Sequence, residues 1–136
     1  MYELFDHTAD LGLRIRAENL DALFAEAAVA LSEALLEDPR AIEPSTEERF
    51  ALEAERLDDL LHDWLAELLY AFGARHMLFG RFDARVRPPR FEAVALGERF
   101  DARRHRVKTE IKAVTYHALR VERAADGWLA EVVLDI

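Results

Sequence analysis

Two stretches of the chain carry apolar residues at helical spacing, and most of the remaining sequence alternates. Leu20, Leu23, Phe24, Ala27, Ala28, Leu31 and Leu35 recur three and four apart between Asn19, a competent N-cap, and Pro39. Leu57, Leu60, Leu61, Trp64, Leu65, Leu68, Leu69 and Phe72 repeat that period, with Gly73 as a natural stop. An apolar stripe of this kind needs a sheet to cover. "LGLRIRA" supplies one strand, with Leu11, Leu13, Ile15 and Ala17 facing one way and Arg14 and Arg16 the other. Phe50, Leu52 and Ala54 alternate as another. From Met77 onward "MLFGRFDARVR", "RFEAVALGERF", "EIKAVTYHALRVERA" and "GWLAEVVLD" all read as strands, with "RPPR" and "ADG" as turns. Two amphipathic helices packed on a mostly antiparallel sheet of about six or seven strands make a two-layer α/β sandwich of the α+β class.

A chain of 136 residues fits a single domain, 1–136, and at this size folding buries roughly 68–70% of the surface the unfolded chain exposes. No internal repeat or linker divides it. With no cysteine there is no disulfide framework or thiolate chemistry, and a metal would be held by oxygen or imidazole. "MYELFDHTAD" has neither the basic nor the apolar region of a signal peptide, and no apolar run is long enough to span a bilayer, so a cytoplasmic protein without a membrane partner is expected. Charge is uneven, net −13 over 1–70 and net +4 over 71–136. The halves either complement each other within one fold or present an acidic face beside a basic one. Of the 18 basic residues only Lys108 and Lys112 are lysines, both within "KTEIK". A compact ammonium there is not interchangeable with a guanidinium.

The chemistry-bearing residues gather at "HTADLG", residues 7–12, at "KAVTYH", and at the final "DI". If the strand from Leu11 pairs antiparallel with the strand ending at Leu134, Asp10 comes beside Asp135 and Ile136. Two side-chain carboxylates and a terminal one cannot crowd together without raised pKa values or a cation, and a hard cation such as Ca2+, Mg2+ or Mn2+ resolves the conflict. The plainer alternative is that Asp10 caps a turn and the last residues fray. His7 and Thr8 are read as turn hydrogen-bonding groups or, for His7, as a ligand. Alternation puts Lys112, Val114 and Tyr116 on one face and Thr115, His117, Leu119 and Val121 on an apparently apolar one. That makes Thr115 and His117 either a functional pair or a hydrogen-bonded core pair. His62, among Asp58, Asp59 and Asp63, reads as a solvated or helix-boundary histidine in preference to a ligand. In "RFDARRHRVK", Arg99, Arg103, Arg104, Arg106 and Lys108 could meet phosphates or an acidic protein surface. No Gly-rich phosphate loop, nucleophile elbow or glutamate-histidine metal motif is present in the sequence.

"HTADLG", "KAVTYH" and a terminal "DI", in this order and with two amphipathic helices between, resemble the archease family over essentially the whole chain. The resemblance implies a protein cofactor of the GTP-dependent RNA ligase that joins tRNA halves. It would promote guanylylation of the ligase histidine and multiple turnover, and would have no reaction of its own. RNA or GTP would be met through the ligase. It implies a metal site at Asp10, Asp135 and Ile136, with Ca2+ the first candidate and Mg2+ or Mn2+ the alternatives. Lys112 would contact a nucleotide phosphate or a ligase carboxylate, with His7 and Lys108 as further contact candidates. Many archeases carry glutamate after the phenylalanine of the first helix, where this chain has Ala25 and then Glu26. A one-residue step turns a helical side chain by about 100°, so Glu26 is not expected to be a simple replacement. Two other classes remain open: a small metal-dependent phosphoesterase using His7, Asp10 and Asp135, and a general chaperone or adaptor.

Overall fold

The computed structural model describes residues 1–7 and 10–136; Thr8 and Ala9 lie outside the described residues. Among the described residues the order is β1 (Tyr2–His7), β2 (Asp10–Ala17), α1 (Leu20–Leu35), β3 (Thr46–Glu53), α2 (Leu57–Arg75), β4 (Met77–Arg87), β5 (Arg90–Arg99), β6 (Ala113–Val114), β7 (Arg120–Ala124) and β8 (Gly127–Asp135). The fold is α+β, with two helices against antiparallel strands. In place of one sheet the strands form two. One runs β1-β2-β8-β6, with β7 also on β8, and the other runs β3-β5-β4. No helix among the described residues is long and apolar enough to cross a membrane.

Helix α1 touches both sheets, packing on β2 and on β4. This is why its buried set is broad, with Leu23, Ala27, Ala30 and Ala34 on one stripe and Phe24, Ala28, Leu31 and Leu35 on the next. The small alanines let two layers approach one helix. The Asn19 side chain accepts from the Ala22 N–H at 2.8 Å, as its cap position requires. Helix α2 buries Leu60, Leu61, Trp64, Leu65 and Leu68. The Trp64 ring sits edge-on to Phe50 and Phe82, and its Nε1–H donates to the Phe24 carbonyl of α1 at 3.0 Å. One buried side chain therefore ties both helices to the second sheet.

Three expectations are corrected. His7, read as a turn residue, ends a strand instead, because β1 pairs with β2 from Tyr2↔Ile15 to His7↔Asp10. The run 110–124 is not one strand. β6 pairs with the last residues of β8 and β7 with its first five, while 115–119 turns between them with Ala118 in the left-handed region at φ 54°. Helix α2 does not stop at Gly73; it continues to Arg75 and is closed by His76 at φ 58°.

Gly73 is an exposed residue in the last turn of that helix, and among the described residues a Cβ built on it meets nothing within 4 Å. Glycine costs a helix interior about 0.8–1 kcal/mol against alanine. Gly73→Ala is therefore expected to raise the unfolding free energy by about 0.5–1 kcal/mol in urea titration. A loss of stability would mean that the helix relies on the glycine for its local geometry.

Candidate metal and partner site at one end of the five-stranded sheet

The register of β2 against β8 decides what converges. Leu11 pairs with Leu134, Leu13 with Val132 and Ile15 with Ala130. These six are the helix-facing set, and all but the half-buried Leu11 are fully buried. One step beyond Leu11↔Leu134 stand Asp10 and Asp135. On the outer side of β2, His7 is the partner of Asp10, and on the outer side of β8, Ala113 is the partner of Asp135. His7, Asp10, Asp135 and Ala113 thus form one row across the sheet, with neighbouring strands roughly 4.7–4.9 Å apart. His7 is placed by its backbone alone, and Thr8 lies outside the described residues.

By alternation Asp10 and Asp135 point to the face opposite the helices, the face of Gly12, Arg14 and Glu131. That face is partly roofed. The Phe5 ring lies over Gly12, so close that a Cβ there would fall 2.3 Å from the ring edge. The Arg14 guanidinium caps the same ring 4.5 Å from its centroid. Glu131 is gripped by Arg120 and lies 3.5 Å from Arg14. The hydrogen bond from Arg120, acting against burial, holds the Glu131 carboxyl below its ordinary range. The glycine of "HTADLG" is thus needed for the close approach of Phe5, next to the carboxylate row.

Lys112 joins the row through its backbone, its N–H donating to the Asp135 carbonyl at 2.7 Å. Its side chain takes the alternate face and lines a groove beside α2. The same face carries Val114, buried, and Tyr116, stacked on His62 with ring centroids 3.9 Å apart. The covered face of this segment is therefore that of Val114, not that of Thr115 and His117. The Thr115 hydroxyl donates to the Val133 carbonyl at 2.9 Å, and His117 is exposed and donates its backbone N–H to Thr115 Oγ1 at 3.2 Å. His62 is not solvated either. Its ring nitrogens lie 3.0 Å from Asp63 Oδ1 and 3.0 Å from the Val114 carbonyl, with 13% of the side chain exposed. Lys108 is exposed, and its backbone N–H donates to the Leu35 carbonyl at 2.7 Å.

Among the described residues no three His, Cys, Asp or Glu side chains cluster as a metal centre. The donor set at this end is two aspartates on neighbouring strands beside the last residue, Ile136, which is 39% exposed. All-oxygen, anionic donors suit a hard cation. Glu26 does not join them. It meets the Met1 ammonium at 2.7 Å, and that ammonium also donates to the Arg16 carbonyl. Arg16 lies six residues along β2 from Asp10, roughly 20 Å away.

Two arginines of the basic run are engaged within the chain. Arg104 pairs with Glu98 and Arg103 with Asp101. Glu98, 7% exposed, also accepts from the Glu43 N–H at 2.8 Å and lies 2.9 Å from Nε2 of His105, itself 3% exposed. Nδ1 of His105 accepts from the Asp101 N–H at 2.9 Å, so the ring is the neutral Nε2–H tautomer donating to Glu98. The bond from Arg104, against the cost of burial, pulls the Glu98 carboxyl down to about 2. This network pins the segment leading to Lys108 and Lys112, and sequence reasoning missed it.

The family model described as the archease protein family matches residues 2–136. The chain belongs to the archease family. It is 36% identical to the protein archease of Pyrococcus furiosus, over 99% of this chain and 98% of the relative. It is 40% identical to that of Methanopyrus kandleri, over 99% of each. The solution structure of Methanobacterium thermoautotrophicum protein 1598 superposes with a TM-score of 0.83 at 29% identity, over 99% of this chain and 98% of that one. A Thermotoga maritima archease, described as a possible chaperone, shares the fold with a TM-score of 0.65 at 23% identity, over 100% and 98% of the chains.

Proposed function

We propose that this archease is a metal-binding accessory protein that activates a GTP-dependent RNA ligase, promoting guanylylation of the ligase and its multiple turnover in tRNA splicing or RNA repair. The reading rests on the β2–β8 register, which sets Asp10 beside Asp135 in a chain of this family. Asp10, Asp135 and the Ile136 carboxylate would hold a divalent cation, Ca2+ first and Mg2+ or Mn2+ otherwise. Bound there, the cation would offset the crowded negative charge and offer positive charge to a phosphate or carboxylate oxygen of the ligase complex. Asp10 and Asp135 stand on paired strands, so sharing a cation would require no loop rearrangement between them. Lys112 is a second contact, with His7 and Lys108 as further candidates. The site of action is the cytoplasm.

The test is ligase turnover. Substoichiometric protein should restore many rounds of joining to a ligase that otherwise stalls after one. Unchanged turnover would overturn the reading, and hydrolysis of phosphoesters by the purified protein alone would favour an enzyme instead.

A further inference from the structure

On the helix side of the sheet, along the edge strand that pairs with Asp135, a groove of about 500 Å3 opens between α2 and the segment 110–114, lined by Leu69, Tyr70, Phe72, Gly73, Ile111 and Lys112. Its walls are mainly apolar, yet Tyr70 is 63% exposed, and Tyr116, farther along the same segment, is 62% exposed. Large rings with a polar tip left in water are the residues most enriched where a partner lands. Gly73 adds an independent observation. At Gly12 the Phe5 ring occupies the space of a side chain, but among the described residues no atom beyond the helix's own local backbone comes within 4 Å of a Cβ built on Gly73. The helix carries an unfavourable residue with no internal use for it, and the result is a bare backbone on the groove wall that another chain can approach closely.

Charge says which chain. Asp59, Asp63, Ala66, Tyr70 and Gly73 follow one another at helical spacing along α2, so the stripe is acidic at its N-terminal end and small or aromatic at the other. Tyr116 sits at the acidic end, stacked on His62. Burial, then the charges of Asp63, Asp59 and Asp58, push its hydroxyl up. A phosphate backbone would be repelled here, whereas a guanidinium or ammonium would meet carboxylates beside an aromatic ring.

We infer that this groove docks a short segment of a partner protein whose apolar side chains fill the Gly73 end and whose basic side chains meet Asp59 and Asp63. Resting on the function proposed above, that partner is the RNA ligase, and docking sets it beside Lys112, at the sheet edge whose other face carries Asp10 and Asp135.

The experiment compares affinity for the purified ligase by calorimetry, with guanylylation rates and thermal melts alongside. Gly73→Gln, which places a helix-favouring side chain in the open space, should melt no lower than wild type and bind the ligase at least tenfold more weakly. Asp59→Lys should weaken binding similarly, and wild-type affinity should fall as salt rises. At saturating concentration both variants should still stimulate guanylylation, because the carboxylate row is untouched. Variants that bind like wild type, while wild type binds and stimulates, would overturn the docking surface and leave the ligase reading standing. A wild-type protein that neither binds nor stimulates the ligase would overturn both. Binding of tRNA halves by the protein alone, abolished by Gly73→Gln, would assign the groove to RNA and overturn a protein segment as its occupant.

Discussion

Glu98→Ala is expected to lower the unfolding free energy by about 2–4 kcal/mol. Breaking a fully buried ion pair costs about 3–5 kcal/mol because a charge is left stranded. Here the stranded partner is only partly buried, since the Arg104 side chain is 40% exposed and can turn to water. What cannot turn is His105, whose side chain is fully buried and would keep an Nε2–H with no acceptor. The Glu43 N–H loses its acceptor as well. The carboxyl is held at about 2 in the folded protein, below its ordinary value. A depressed carboxyl contributes stability that is fully present above its unfolded pKa and is lost as pH falls through that value toward the folded one. Urea titrations of wild type from pH 7 to pH 2 should therefore weaken below about pH 4.5. Glu98→Gln should remove this group's share of that slope. Identical acid slopes for the two would show that other carboxylates carry the effect.

How much of the fold was legible differs from element to element. The helices were, because a stripe at spacings of three and four over several turns has no other explanation, and strands β4 and β8 coincide with the runs read from their alternation. Strand β1 was hidden by Phe5, which falls on the face of Glu3 and spoils the alternation. It does so because it covers Gly12 of the neighbouring strand, a contact no local pattern encodes. The break between β6 and β7 was hidden for the opposite reason. The alternation of residues 111–124 runs on through the turn, which contains no glycine or proline and uses Ala118 for its left-handed position. At the site, the adjacency of Asp10 and Asp135 was conditional on one strand pairing, and that pairing is the one the fold makes. Glu98 and His105 were illegible, because their meaning lies in burial created by three separate segments.

Asp10→Ala is expected to weaken divalent-cation binding by at least ~10-fold, since the number of charged oxygen ligands is what tunes affinity for a hard cation. Calorimetric titration with Ca2+, Mg2+ and Mn2+ measures this directly. Thermal melts supply a second reading that does not depend on the ligase. A cation that binds only the folded state raises the melting temperature of wild type by linkage, and it should leave Asp10→Ala nearly unmoved. Without the cation the order should reverse, because removing one of two adjacent carboxylates relieves like-charge repulsion across β2 and β8. Asp10→Asn separates charge from shape. It keeps a carbonyl oxygen at the same place, so a turn-capping role would survive in it while a charge-dependent cation site would not. The same substitutions should reduce stimulation of ligase guanylylation, with Asp10→Ala and Asp135→Ala together costing little more than either alone, as expected of residues that act as one unit. Extending the chain beyond Ile136, which turns its terminal carboxylate into a neutral peptide carbonyl, should mimic the single substitutions, whereas an N-terminal extension should not. Equal cation binding by wild type and Asp10→Ala would remove Asp10 from the site and leave it as a residue of the β1–β2 hairpin.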